Sequence, residues 1–251
     1  MMSHSTPSTN PGFARRRPDP GLLLALALSV FALWPLLYRA GLPNGNDVLY
    51  HTFRVAEMSR SWEHGVLFPR WAETFYTGYG APVFHYYASL SYYVTSVLMR
   101  LFSLDALNVL RLLIALCVVG GTAGMYAFTR QRSGQVGGVI AALAYTYSPY
   151  LLFTEPYSRG AYPEMMAFAL FPWVMALYGR LQRTGGAAAF VAAALGSAAL
   201  IITHNLMALV LTGLLAGWLG WSLLALWLAG ERRRVWPHLL ALLAAASGVG
   251  L

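Results

Sequence analysis

The chain has 251 residues, 58% of them hydrophobic and only 10% charged, with a mean hydropathy of +0.54. Soluble domains carry roughly 25% charged residues, so this composition excludes one and describes an integral membrane protein. The net charge of +8 comes from arginines that flank apolar runs, which is an orientation signal rather than a footprint for nucleic acid, and nucleic acid is excluded as a partner.

Two further absences narrow the chemistry. Cys117 is the only cysteine and lies inside an apolar stretch, which rules out an intrachain disulfide framework and fits a small buried hydrophobe. There is no lysine, so Schiff-base chemistry and a phosphate-loop lysine are excluded. Arginine remains available for bidentate binding of phosphate.

Residues 1–20 carry Pro7, Pro11, Pro18 and Pro20 among Ser, Thr and Asn, and read as a disordered cytoplasmic tail ending after Arg15, Arg16 and Arg17. Residues 21–251 read as one transmembrane domain, expected to continue into a longer module beyond Leu251. Residues 22–38 form a first outward helix with no convincing cleavage site behind them. Residues 39–111 then make a long first extracytoplasmic loop. Apolar runs follow at 112–129, 136–153, 162–181, 187–203, 206–229 and 235–251, most of them near the ~20 residues that a crossing helix needs. The expected fold is all-α, a polytopic helix bundle of about seven spans.

Residues 82–102 decide the topology. If they cross, Arg130/Arg132, Arg180/Arg183 and Arg232 to Arg234 no longer share the side of the tail arginines; if they lie in the interface, all of them do. Their tyrosines favour the headgroup level, so the interfacial placement is preferred and most of these aromatics are read as anchors.

Polar residues then collect on the extracytoplasmic side. Asn44-Gly45-Asn46-Asp47 signals a turn before a helix on which Asp47, Tyr50, His51, Arg54 and Met58 share a face. The plainer alternative makes Asp47 a helix cap, with Arg54, Glu57, Arg60 and Glu63 as a solvated ladder of ion pairs, and for the last three that alternative is preferred. Arg70 follows in Phe68-Pro69-Arg70-Trp71. The second outer segment, residues 148–164, holds Glu155, Arg159 and Glu164, with Glu164 placed to meet a helix dipole. His204-Asn205 breaks an apolar stretch too long for one span and forms the third polar knot. A magnesium or manganese ion held by carboxylates such as Glu164 is conceivable, although no dense ligand motif exists.

This order of features resembles the GT-C superfamily of polytopic membrane glycosyltransferases. More narrowly, Asp47-x-x-Tyr50-His51-x-x-Arg54, Phe68-Pro69-Arg70-Trp71, Gly78-Tyr79-Gly80, Ser148-Pro149-Tyr150, Arg159-Gly160…Glu164 and Thr203-His204-Asn205 resemble bacterial membrane proteins related to 6-pyruvoyl-tetrahydropterin synthase. Pterin chemistry itself is not expected, because a zinc-binding histidine set and a soluble fold are both missing. The GT-C resemblance implies a sugar donor linked to isoprenoid phosphate, an extracytoplasmic acceptor, and membrane lipid as the surrounding partner in a bacterial cytoplasmic membrane. It implies Asp47 as general base, with His51 and Glu164 beside it as catalytic candidates. Arg54, Arg70, Arg159, His204 and Asn205 become substrate-binding candidates, and Glu164 the candidate metal ligand. A lysine expected near the donor phosphate in aminoarabinose-type relatives is absent here. The alternatives are a transporter or flippase, and a non-catalytic membrane protein of envelope assembly.

Overall fold

The computed structural model describes residues 18–231 and 235–250. Most of the tail, with Arg15 to Arg17, and the cluster Arg232 to Arg234 lie outside the described residues. Asp19 starts the first helix: its carboxylate accepts the Gly21 amide at 3.1 Å, and Pro20 supplies the fixed φ of a first helical position. This helix, α1 (Pro20–Ser29), passes through a 3-10 segment, Val30–Leu33, into α2 (Trp34–Tyr38). Pro35 explains the break, because its ring brings no amide hydrogen and crowds the carbonyl four residues earlier.

The loop from 39 to 105 folds against the bundle. It contributes α3 (Val48–Glu63), the short α4 (Val83–Tyr86) and α5 (Leu90–Phe102), with an isolated bridge between Ala72 and Ala81 closing the intervening turn. Helices α3 and α5 run parallel, since His51 meets Tyr92 while Ser59, eight residues on, meets Arg100. Both ends of segment 82–102 stay at one end of the bundle. The Leu90 amide bonds Ile202, and just after α5 the Arg111 guanidinium binds the carbonyls of Leu36, Arg39 and Gly41. At 13 residues α5 spans only about 20 Å, short of the ~30 Å hydrocarbon core of a bilayer. The aromatics there are not mainly anchors: Tyr92 is 1% exposed and packs into the core with Val55, Met58, Leu110 and Tyr162.

The helix α6 (Ala106–Thr146) is a hairpin of two arms. Gly134 sits at φ 70, ψ −170, a backbone region essentially open to glycine alone. The Thr122 and Thr146 hydroxyls are hydrogen-bonded at 2.7 Å, whereas 24 residues of straight helix would part them by ~36 Å. The second arm continues through Ser148-Pro149 into a π-helical segment, Tyr150–Arg159, where the sequence suggested an ordinary span to 153 and a turn after it. Four apolar helices follow: α7 (Tyr162–Thr184), α8 (Ala187–Ile201), α9 (Asn205–Leu228) and α10 (Val235–Gly250). Helices α6 and α7 approach closely at Gly124, beside Pro172 and Trp173, and the Trp173 indole donates to the Gly120 carbonyl at 2.8 Å. Pro172 is accommodated without interrupting α7.

Among the described residues the architecture is therefore all-helical, with no β-strand. Three segments are long and apolar enough to cross a membrane, Pro20–Tyr38, Ala106–Arg159 and Asn205–Leu228, and the second of these contains the hairpin. Two ends can be named. One, the arginine end, joins Asp19 to Arg130 and Gln135, and Arg183 to Gln131. The other gathers the first loop, the π-helical segment and the α8–α9 turn.

Candidate functional site

The site is built on a backbone clasp between two loops. Gly160 turns the chain at φ 69, and a Cβ there would collide with Val48; Gly45 in turn lies against the backbone of Arg159 and Gly160. This close fit lets the Asn46 amide donate to the Ser158 carbonyl at 3.2 Å and the Asp47 amide donate to the Arg159 carbonyl at 2.7 Å. Two polar knots 112 positions apart in sequence, Asp47 and Arg159, thereby become neighbours.

Asp47 precedes α3, yet its carboxylate makes no capping bond to that helix. Its backbone serves the clasp while its half-buried side chain is left available, which removes the capping alternative. The predicted ion-pair ladder is also absent. Glu57 is buried and accepts from the Thr74 amide at 3.3 Å and hydroxyl at 2.6 Å, and Arg54 turns toward Tyr87 and Tyr92. Tyr50 is exposed rather than aligned with His51 and Met58, which are buried.

Arg159 is the electrostatic hub. Its Nη1 bonds Glu155 Oε1 at 2.7 Å and its Nη2 reaches Glu164 Oε2 at 2.9 Å. Tyr150 completes the cluster, donating to Glu164 Oε1 at 2.7 Å while its oxygen accepts from Arg159 Nη1 at 2.6 Å. Glu155 and Arg159 are one helical turn apart, and the wide π-helical turn carries both inward; such turns recur at functional sites. The cluster sets two buried carboxyl groups against a single guanidinium. Glu164 thus does more than meet the dipole of α7.

A second layer surrounds His51. Its Nδ1 lies 2.8 Å from the Tyr92 hydroxyl, to which Arg54 donates at 3.3 Å, and the Arg54 guanidinium stacks over Tyr87 at 4.3 Å. The Tyr92 hydroxyl therefore links the Arg54 guanidinium to the His51 ring. Burial pushes the His51 imidazole down to about 3, helped by the positive fields of Arg54 and His204. Burial likewise raises the Tyr92 and Tyr87 hydroxyls; for Tyr87, Arg54 opposes the rise while Asp47 and Glu164 add to it.

The third knot closes the circle. His204 caps α9 by accepting the Met207 amide on Nδ1 at 3.2 Å, and its ring meets Tyr87 edge-on. Burial lowers its imidazole, with Glu164 pulling the other way and Arg159 reinforcing the drop. Asn205 stands on the rim, with its amide 3.4 Å from the Tyr86 carbonyl. Arg70 is not brought in; it stays exposed without a polar partner among the described residues.

Residues 84–251 match the model of the 6-pyruvoyl-tetrahydropterin synthase related domain, described as a membrane protein. The chain belongs to that family. The matched region carries α5 and every later helix, with Glu155, Arg159, Glu164 and His204, while Asp47, His51 and Arg54 precede it. No curated protein and no solved structure matches the chain. Membership in a membrane-protein family agrees with the apolar helices, and the chain is integral to a membrane.

Several site residues escaped the sequence reading. Glu155 was visible only as one of two acids in its loop, although its spacing from Arg159 was a usable signal. Tyr87, Tyr92 and Tyr150 were hidden in aromatic runs whose usual role at a membrane interface is anchoring. Three polar atoms around the site are buried without a protein partner: Arg54 Nε, Glu155 Oε2 and Tyr162 Oη. Buried orphans of this kind are rare in native structures.

A resident divalent ion fits poorly. Both Glu164 oxygens are engaged, by Tyr150 and Arg159, and the described residues contain no group of three or more His, Cys, Asp or Glu placed to hold a metal.

Proposed function

We propose that the chain is a membrane glycosyltransferase of GT-C type, moving a sugar from an isoprenoid-phosphate donor to an acceptor on the extracytoplasmic face. The observation that carries the proposal is the clasp that sets an uncapped Asp47 beside the Arg159–Glu155–Glu164 cluster, at the end of the bundle opposite Arg130 and Arg183. The arginine end is taken as cytoplasmic, by the bias of Lys and Arg toward that side. With the α6 hairpin counted as two crossings, the helices alternate between the ends in seven spans.

In this mechanism Asp47 takes the proton of an acceptor hydroxyl as its oxygen attacks the anomeric carbon, and the bond to the donor phosphate breaks with inversion. The leaving phosphate needs a cation whose charge is not already spent. Arg159 is paired twice, so it serves to hold the loop that carries Asp47. Arg54 forms no ion pair among the described residues and has an unpartnered Nε, which suits it to receive the phosphate. It also borders a groove of about 500 Å³ walled by Tyr50, Phe53, Phe75, Tyr76 and Val83, wide and apolar enough for an isoprenoid chain. His51, 2% exposed, does not reach a substrate here and acts by fixing Tyr92 and Arg54.

The test is sugar transfer from a panel of polyprenyl-phosphate sugars by membranes carrying the wild type, Asp47→Asn or Arg54→Gln. Loss of transfer in Asp47→Asn with undiminished membrane insertion is expected. Full transfer by that variant would end the proposal, and would return the chain to envelope scaffolding.

A further inference from the structure

At the far end of the bundle, α6 and α7 present a second polar groove that the proposed transfer reaction does not use. A Cβ built on Gly179 would stand 3.1 Å from Gln131 Oε1, 3.4 Å from Arg132 Nη1 and 3.5 Å from Arg183 Nη1, so two guanidinium groups, and the amide oxygen that Arg183 binds, converge over one point of α7. Neither forms an ion pair among the described residues, where Asp19, Glu155 and Glu164 pair with other arginines. Both are nevertheless held in place. Arg183 donates to Gln131 Oε1 at 2.7 Å, and Arg132 lies against the Phe128 and Trp218 rings, 5.1 and 4.7 Å from their centroids.

Like charges fixed this close repel one another, and an anion between them would convert the repulsion into attraction. A third donor points to the same occupant: Gln182 Nε2 is buried without a protein partner, while its Oε1 accepts from Arg132 at 3.5 Å. The groove encloses about 580 Å³, and Leu226, Pro237 and His238 of α9 and α10 line its other wall. Forked guanidinium donors, an amide and a glycine floor match the tetrahedral oxygens of a phosphate group. We propose that this groove binds phosphate, carried by an anionic lipid headgroup or free in solution, at the surface opposite the candidate active site.

The experiment uses the full chain in nanodiscs of phosphatidylcholine, with and without phosphatidylglycerol, and compares wild type with R132Q/R183Q and with Gly179→Ala, which keeps both charges and fills the floor. Native mass spectrometry counts retained phosphatidylglycerol; a thermal melt in phosphatidylcholine alone follows titration with inorganic phosphate. Retention by R132Q/R183Q is expected to fall about tenfold or more, as for the loss of a charge-assisted hydrogen bond, and retention by Gly179→Ala to fall as well. A lipid response alone identifies a headgroup site, and a phosphate-dependent rise in wild-type melting that the variants lack identifies free phosphate. Wild type indistinguishable from R132Q/R183Q in both arms overturns the proposal, as does undiminished binding by Gly179→Ala should the double variant fail to fold.

Discussion

Removing the Arg159 guanidinium should destabilise the protein far more than removing either of its acids. Glu155 is fully buried and Glu164 is 4% exposed, so Arg159→Gln leaves two neighbouring carboxylates without a counter-charge. Stranding buried charge in this way costs about 3–5 kcal/mol in a closed interior. The Arg159 side chain is 37% exposed, and solvent screening reduces the expectation to about 2–3 kcal/mol. For a chain of this length that corresponds to roughly 4–12 °C in melting temperature. Glu155→Gln should cost only about 1 kcal/mol, because Arg159 keeps Glu164. Combining the two should recover part of the loss, since the paired acids no longer repel. The assay is a thermal melt of the four proteins in one detergent. Strict additivity across the cycle, or an Arg159→Gln protein as stable as wild type, would show that the hub does not hold this loop.

Three further outcomes follow from the geometry. His51 is held neutral with its imidazole down at about 3 against 6.5 in an unfolded chain, so its contribution is complete above pH 6.5 and is lost as the pH falls toward 3. Between pH 7.5 and 5.5 the unfolded state alone takes the His51 proton, costing about 1.4 kcal/mol, a contribution to the pH slope that His51→Asn should remove in melts across that range while the share of His204 remains. Gly134→Ala forces a side chain into a glycine-only conformation and should cost about 1–3 kcal/mol, read as a lower melting temperature; an unchanged melt would mean that the α6 hairpin turns elsewhere. In a Cys117→Ser background, an impermeant thiol reagent added outside cells should label Ser89→Cys and spare Arg132→Cys, whereas outside labelling at 132 would reverse the assigned orientation.

The helical framework was legible where single segments determine it. Apolar length and arginine flanks marked the hairpin at 130–135, because bilayer thickness and backbone hydrogen bonding leave an apolar segment few alternatives. The site was legible only in part. Asp47, Arg159, Glu164 and His204 stood out as polar residues beside apolar runs, but their neighbourhood depends on the fit of Gly45 against Gly160, which no local pattern reveals. Arg54 is left without an acid on α3 because Glu57 engages Thr74, a partner seventeen residues away that helical spacing does not reveal.

The division of labour between the two arginines rests on charge rather than position. Arg54 and Arg159 both stand near Asp47, and sequence alone could assign the phosphate to either. A guanidinium already engaged by two acidic side chains offers an incoming phosphate little attraction. A guanidinium stacked on Tyr87 with an unspent donor keeps its full charge and loses little freedom on binding. In the proposed transfer reaction, this charge balance assigns the donor phosphate to the α3 side of Asp47, next to the aromatic groove, and leaves the α7 side to hold the aspartate in place.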